Sequence, residues 1–323
     1  MAYSDVLIEG RRRTRNLYLI FSAIMAFLLL FPMFDLGNWG LHMLIMVMLY
    51  STLAAAWNFL GGYTGQFSVG HSAFFGVAGY AMGIAMARNV TGPIGGALLG
   101  VGFSLALAFL VGISTLRLRG IFFSLTTFAL AEILRKLALF HDGLTGGPLG
   151  LSLVIPGATK VTYYYIALLL LVCIFTVNFL FERSKFGMFC MSIRENEDAA
   201  MSAGINTSRQ KVAVALLSAF FTGLCGTLYA AYIGVIEPDA VFSFNLSIKI
   251  IILAIIGGAG TIIGPILGAL AIIVPEELIR GLLGGVYAGV SGMAYGLILI
   301  ITLMLKPAGL RELFVYILPR KKD

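Results

Sequence analysis

Charged residues are scarce in this sequence. Only 11% of its 323 residues are Asp, Glu, Lys or Arg, whereas 59% are hydrophobic and the mean hydropathy is +0.98. Soluble domains carry charge on about a quarter of their residues, so this composition excludes a soluble protein and indicates an integral membrane protein. The longest stretch between apolar runs, 181–211, is too short to hold a soluble domain. The whole chain is therefore predicted to be one transmembrane domain.

Other scarce features exclude further classes of function. The three cysteines, Cys173, Cys190 and Cys225, lie far apart and form no C-x-x-C pair, so we interpret them as small packing residues. The sequence contains no G-x-x-x-x-G-K-[ST] motif and no Gly-Lys dipeptide, so it supplies no P-loop for nucleotide phosphates. The net charge of +7 fits basic cytoplasmic loops better than nucleic-acid binding. We expect that the protein binds no cofactor, no metal and no nucleic acid, and that it is not an enzyme.

Long apolar runs are what the sequence does contain. A membrane-spanning helix needs about 20 apolar residues, and the runs predict an all-α polytopic membrane protein with about ten transmembrane helices. The predicted spans are 17–34, 41–60, 67–87, 95–116, 121–140, 161–180, 212–235, 244–257, 262–280 and 288–305, of which the eighth is short. The predicted organisation is a cytoplasmic segment at 1–16, a transmembrane domain at 17–306 that includes a cytoplasmic loop at 181–211, and a cytoplasmic tail at 307–323.

The distribution of basic residues supports one register for these spans. Ten crossings that begin inside the cell put 16 of the 22 Lys and Arg on the cytoplasmic side, as the positive-inside rule requires. Four of them, Arg11, Arg12, Arg13 and Arg15, precede the first apolar run, and no A-x-A cleavage site follows that run. We therefore expect a retained first helix in a bilayer, with both termini in the cytoplasm.

Glycine-rich breaks interrupt the helical pattern twice, at 61–66 and at 257–260. Each break follows an aliphatic helix and precedes a helix rich in small residues, so the chain reads as two weakly repeated halves. Matching interrupted segments in two halves indicate a transport pathway. The spacing of Gly260, Gly264 and Gly268 is equally typical of close helix packing without any functional role. Both interpretations stay open at this point.

One short stretch, RENEDAAMSAGIN at 194–206, concentrates charge in an otherwise apolar chain. It predicts a compact helix over 194–204, with Glu195, Glu197 and Asp198 near its start, where the helix dipole favours acidic residues. Gly204 is placed where a C′ glycine ends a helix, and Asn206, Thr207 and Ser208 offer caps for the next one. Such a helix, held at both ends, suits docking better than flexible linking. An ordinary solvated turn is the simpler alternative.

Several separated motifs give the chain a resemblance to a known family. Asp198-Ala199-Ala200-x-x-x-Gly204 is similar to the E-A-A-x-x-x-G coupling motif of ABC importer permeases, with Asp in place of Glu. The other motifs are GGYTGQFSVGHSAFFGVAGY at 61–80, LRLRGIFFSLTTFALAEILR at 116–135, TGGPLGL at 145–151, GGAGTIIGPILGA at 257–269 and KPAGL at 306–310. From about residue 40 to 310 the chain resembles the branched-chain amino-acid ABC permeases, in their LivM branch.

The resemblance implies a transport subunit of the bacterial inner membrane. Its partners would be a second permease subunit, two cytoplasmic ABC ATPase subunits and a periplasmic solute-binding protein. The implied solute is a branched-chain amino acid, with urea or short amides as the alternative and sugars more distant. The residues implied to couple the permease to the ATPases are Arg194, Glu195, Asp198, Ala199, Ala200 and Gly204.

Polar residues within the spans are candidates for the translocation pathway, because polar groups in a bilayer usually pair or line a cavity. The candidates are Gln66, Ser68, His71, Ser72 and Glu132. Two of them have simpler interpretations. Glu132 lies three residues before Arg135 and can form a local ion pair with it. A single histidine such as His71 is also commonly a packing residue with a satisfied hydrogen bond.

Two other classes of membrane protein remain as alternatives. Gly-Val-Ser-Gly at 289–292 fits an intramembrane serine protease, but His42, His71 and His141 all precede Ser291, whereas rhomboid-type proteases carry their histidine on a later helix. An ion-driven secondary transporter needs buried acidic groups near the bilayer midplane. Glu132 is the single carboxylate that we place well inside a span, which argues against that class.

Overall fold

The computed structural model describes residues 28–34, 37–115, 118, 120–282 and 296. Several sequence predictions lie outside these residues: the segment 1–16, most of the span 17–34, the span 288–305, the tail 307–323, and Ser291 with its neighbours at 289–292. They stay predictions.

Long helices form the described part of the chain. They are α1 (Gly37–Asn58), α2 (His71–Ala87), α3 (Pro93–Thr115), α4 (Ile121–Phe140), α6 (Lys160–Arg183), α9 (Thr207–Ile233), α11 (Phe244–Gly258) and α12 (Gly264–Leu282). Shorter helices are α5 (Asp142–Thr145), α7 (Lys185–Glu195), α8 (Glu197–Ser202) and α10 (Pro238–Val241). A π-helical turn, Phe59–Tyr63, extends α1, and 3-10 turns cover Phe31–Phe34 and Gly147–Leu149. Two short strands, β1 (Leu151–Ser152) and β2 (Val235–Ile236), pair antiparallel.

The all-α class predicted from the sequence is confirmed, and each predicted span from the second to the ninth corresponds to one long helix. Five helical segments of the described chain are long and apolar enough to cross a membrane by length and composition: Gly37–Tyr63, Pro93–Ile113, Lys160–Arg183, Thr207–Ile233 and Pro238–Gly258. A shorter apolar helix covers His71–Ala87. The total of about ten spans and the repeat of two halves stay predictions.

The helices pack as two groups. One group is α2, α3 and α9, and the other is α1, α11 and α12; α1 also contacts α6 and α9. Glycines permit the closest approaches, because a Cβ on Gly257 would lie 1.8 Å from the Gly264 carbonyl oxygen and one on Gly268 would lie 1.9 Å from the Leu253 oxygen. The small residues after the second break therefore serve close packing of α11 against α12.

The connecting segments collect at two ends of this bundle. Residues 61–66, 184–206 and 259–263 meet at one end, which we call the loop end. The paired strands Leu151–Ser152 and Val235–Ile236 lie at the other, which we call the strand end. The loop at 181–211, the predicted cytoplasmic segment that the structure describes, thus lies at the loop end. Which end faces the cytoplasm stays a prediction.

Candidate functional site: the charged loop and the glycine junction

The charged loop at residues 184–206 contains two helices where the sequence predicted one. Helix α7 ends at Glu195, Asn196 is extended with φ −159° and ψ 110°, and α8 begins at Glu197. The predicted helix over 194–204 is therefore wrong in its extent. The physical reason is that the Asn196 side chain accepts a hydrogen bond from the Ala199 N–H at 3.0 Å, which makes it the N-cap of α8. Glu195 consequently closes α7 and does not begin α8.

The end of α8 follows the sequence prediction. Gly204 adopts the left-handed conformation, with φ +85°. The Ile205 N–H donates to the Ala200 oxygen at 3.1 Å and the Gly204 N–H donates to the Met201 oxygen at 2.9 Å, as in a glycine-terminated helix. The Asn206 side chain then caps α9 by accepting from the Arg209 N–H at 3.0 Å. The loop is thus closed by hydrogen-bonded caps on both sides of α8.

The residues predicted to couple the permease to ATPases divide by exposure. Ala200 is buried at 4% exposure and packs inward. The exposed ones are Arg194, Glu195, Asp198, Ala199 and Gly204. Asp198 and Ala199 are thus exposed on α8, and Arg194 and Glu195 at the end of α7.

An ion pair that the sequence analysis missed ties this loop to a long helix. Lys211, in the first turns of α9, has its Nζ 2.5 Å from Glu197 Oε1, and its side chain is only 4% exposed. The sequence offered only a lysine at the start of a span, which the positive-inside rule already explained. A buried lysine needs an opposite charge, so α8 and α9 are coupled electrostatically.

A second contact joins the loop to the first glycine break. Arg194 Nη1 donates to the Gly62 carbonyl oxygen at 2.7 Å. Its side chain lies in a slot, the glycine junction, formed by Gly62, Gly65 and Gly260. A Cβ on Gly260 would lie 2.5 Å from Arg194 Nη1, and one on Gly65 would lie 3.3 Å from Arg194 Cγ. A side chain at Gly260 would meet the guanidinium, whereas one at Gly65 needs only a small shift of the arginine; both glycines also have left-handed backbones, with φ +74° and +70°.

The two glycine breaks also contact each other directly. Asn58 is fully buried, and its Oδ1 accepts from the Gly260 N–H at 2.7 Å while its Nδ2 donates to the Thr261 oxygen at 2.9 Å. A Cβ on Gly62 would lie 2.5 Å from the Gly260 nitrogen. The breaks at 61–66 and 257–260 therefore form one structural unit, although they are about 200 residues apart. Nothing in the local sequence around Asn58 pointed to this role.

A polar cavity of about 110 Å³ lies beside the junction. It is lined by Thr64, Gln66, Arg194, Glu197 and Lys211, among others. Gln66, a predicted pathway residue, is half-buried here. The first glycine break, Arg194 and the Glu197–Lys211 ion pair therefore all line the same cavity.

The other pathway candidates near the first break are packed between helices. His71 is fully buried, with Nε2 2.8 Å from Ser218 Oγ. The Ser72 N–H donates to Ser247 Oγ at 3.1 Å, and the two hydroxyl oxygens are 2.8 Å apart. The Ser68 carbonyl accepts from Trp57 Nε1 at 2.8 Å. Nε2 of His71 thus has a hydrogen-bond partner while its Nδ1 has none among the described residues, and a role for these residues in the pathway stays a prediction.

Glu132 lies away from the loop end and forms the ion pair predicted for it. Arg135 Nε donates to Glu132 Oε2 at 2.9 Å, and Arg135 also pairs with Asp239. A groove of about 600 Å³ lies near them, between α2, α3 and α4; its lining includes Tyr80 and Leu134. The ion pair accounts for Glu132 locally.

A further charged cluster lies near the strand end. Lys249 Nζ lies 2.6 Å from Glu276 Oε2, and His42 Nε2 lies 3.6 Å from Glu277 Oε2. Glu277 is 4% exposed. Glu276 and Glu277 lie near the end of the predicted span 262–280, whereas Glu132 was the single carboxylate placed well inside a span. Each has a basic partner, which is the usual condition of charge in a membrane.

The amino-acid sequence is similar to those of known transport proteins. The family model described as the permease component of branched-chain amino acid transport systems matches residues 41–305. The high-affinity branched-chain amino acid transport system permease protein LivM of Salmonella typhimurium is 27% identical, over 94% of this chain and 76% of that protein. LivM of Escherichia coli gives the same values.

More distant relatives match part of the chain. The permease protein LivH of Salmonella typhimurium is 31% identical over 39% of this chain and 40% of its own length. The fructose import permease protein FrcC of Rhizobium meliloti is 28% identical over 36% of this chain and 33% of its own length. No solved structure matches. Because the family model covers most of the sequence, the chain belongs to the permease components of branched-chain amino acid transport systems.

Proposed function

We propose that this chain is the permease subunit of an ABC importer that carries branched-chain amino acids across the bacterial inner membrane. Partner ATPase subunits drive transport through the charged loop. The observation that carries the proposal is the construction of that loop, whose α8 is capped at both ends and has Asp198 and Ala199 exposed, while Glu195 is exposed at the end of α7. A capped helix moves as a rigid body, so it can pass the movement of a bound partner to the spans at either side of the loop.

The proposed partners follow from what the chain contains. The sequence has no P-loop, so the proposal assigns nucleotide binding to two ABC ATPase subunits at the loop end. Partial similarity to LivH supports a second permease subunit, and a periplasmic binding protein would deliver the solute at the strand end. In this arrangement both termini are cytoplasmic. The names of the LivM relatives support branched-chain amino acids over urea or short amides.

Purification with these partners tests the proposal. The complex is reconstituted in liposomes and its ATPase activity is measured with the binding protein and leucine, isoleucine, valine, urea or ribose. We expect stimulation by the three branched-chain amino acids. Stimulation by urea alone would assign the amide alternative. Uptake that stops when the ion gradient collapses at constant ATP would favour an ion-driven transporter.

A change at Gly204 tests the loop itself. A β-branched residue at φ +85° is strained; the left-handed conformation costs about 1–2 kcal/mol, equivalent to a shift of about 5- to 30-fold. Gly204→Val should therefore misplace the end of α8 and lower uptake or complex yield. Gly204→Asn is the matched control, since asparagine tolerates this conformation. Wild-type uptake and yield with Gly204→Val would contradict coupling through this loop.

A further inference from the structure

We propose that Arg194 is a positioning residue within the permease, which ties the charged loop to both glycine breaks, and is not a contact to the ATPase. The inference rests on the proposed function and assigns one of its residues a different task. The resemblance placed Arg194 with the coupling residues, and the residue is exposed, but its guanidinium donates to the Gly62 carbonyl of the same chain.

The glycine junction fits the arginine on three sides. The guanidinium donates to the Gly62 oxygen, the methylene part passes over Gly65, and the Gly260 backbone lies beside Nη1. A hydrogen bond from a charged donor to a backbone carbonyl is among the stronger ones and is insensitive to side-chain identity at the acceptor. Arg194 therefore contacts the backbone of both breaks, so a shift of either break changes these contacts.

Asn58 makes the two breaks move together. Its amide spans from the end of α1 to the Gly260 N–H and the Thr261 oxygen. A displacement of Arg194 at Gly62 is thus passed to the ends of both α1 and α11. These helices belong to one packing group, together with α12.

The second charged contact of the loop reaches the other group. Glu197 pairs with Lys211 on α9, which packs against α2 and α3. Arg194 lies on α7 and Glu197 on α8, with the extended Asn196 between them. The loop therefore contacts one helix group on each side of its bend, and the two groups also touch directly where α1 packs against α9. A change of angle at Asn196 would act across that shared contact. Movement between two helix groups is how transporters alternate access.

The test is a set of variants in the reconstituted complex, with complex yield, ATP hydrolysis and solute uptake measured in the same liposomes. Arg194→Ala should assemble and hydrolyse ATP within about twofold of wild type, while solute carried per ATP falls roughly tenfold, as expected for loss of a charged hydrogen bond. Arg194→Lys should recover part of this ratio. The matched control is Lys185→Ala, which removes one positive charge from an exposed position of the same helix.

A disulfide between positions 65 and 194 tests whether Arg194 acts by holding the loop against the first glycine break or only by stabilising the fold. A Cβ on Gly65 would lie 3.6 Å from Arg194 Cβ, within the usual disulfide range of about 3.5–4.5 Å. In a Cys173→Ser background, reduced Gly65→Cys/Arg194→Cys should behave as Arg194→Ala. Oxidation with copper phenanthroline and oxygen should restore solute carried per ATP. Gly65→Cys alone controls for the strain of its left-handed backbone.

Three outcomes would overturn the inference. An unchanged amount of solute carried per ATP in Arg194→Ala would show that the contact between Arg194 and Gly62 has no role in transport. Loss of complex yield or ATP hydrolysis in step with uptake would make Arg194 an ATPase contact. A disulfide that forms but leaves transport blocked would mean that the contact must open during the cycle. Failure of the proposed function is separate, because the wild-type complex would then show no ATP-dependent uptake.

Discussion

The ion pair between Glu197 and Lys211 gives a quantitative prediction for stability. We compare Glu197→Gln, Lys211→Met and the double variant. Glu197→Gln leaves the Lys211 ammonium, 4% exposed, without its ion-pair partner among the described residues. Removing one partner of a buried pair costs about 3–5 kcal/mol. Because the remaining glutamine oxygen still accepts a hydrogen bond, we expect the lower end, about 3 kcal/mol.

The other two variants should cost less. Lys211→Met leaves a carboxylate that is 19% exposed and reaches water, so the expected loss is about 1 kcal/mol. The double variant Glu197→Gln/Lys211→Met contains no unpaired ammonium. Replacing both members of a buried ion pair with uncharged residues often costs little free energy of unfolding. The double variant should therefore be about as stable as Lys211→Met and clearly more stable than Glu197→Gln.

Thermal unfolding in detergent, followed by tryptophan fluorescence, measures these differences. Trp57 is buried and donates to the Ser68 carbonyl, so it reports on the region next to the glycine junction. At about 2 °C per kcal/mol for a long chain, Glu197→Gln should melt about 6 °C below wild type. Lys185→Met, at an exposed position, should not change the melting temperature. Equal melting of Glu197→Gln and the double variant would refute the reasoning.

Two further predictions concern packing and orientation. Gly268→Ala should sharply reduce folded yield, because its Cβ would lie 1.9 Å from the Leu253 oxygen, whereas Gly102→Ala meets nothing within 4 Å and should fold normally; size-exclusion chromatography compares them. A cysteine placed at exposed Ala203 should react with a membrane-impermeant maleimide in inside-out vesicles and not from outside intact cells. Native Cys190 should stay unlabelled near pH 7, because burial raises the pKa of its thiol to about 12 and keeps it protonated. Labelling from outside would reverse the proposed topology.

The helices were predictable because their signal is local. A run of about 20 apolar residues predicts a span without reference to the rest of the chain, and the prediction at 41–60 corresponds to the segment Gly37–Tyr63. Caps are also local, which is why Gly204 was placed correctly and Asn206 was among the three residues offered as the cap of α9. The bend at Asn196 was missed although a signal was present: asparagine favours N-caps and turns over helix interiors, and Glu197 and Asp198 after it are typical of a first helical turn.

The charged and polar contacts were not predictable because they join distant parts of the chain. Arg194 reaches Gly62 across 132 residues, and Asn58 reaches Gly260 across 202. Periodicity and composition carry no information about which helices become neighbours at such separations. The contacts of Arg194 with Gly62 and of Glu197 with Lys211 are therefore seen only in the three-dimensional structure.

The glycine contacts between α11 and α12 also limit which mutations the gene can tolerate. Every missense change at a glycine codon adds at least one carbon atom to the residue. At Gly257, Gly264 and Gly268 that atom would meet backbone oxygen at 1.8, 2.4 and 1.9 Å. Backbone cannot rotate aside as a side chain can, so these codons should show almost no amino-acid variation in functional copies of the gene, even among conservative replacements such as alanine or serine.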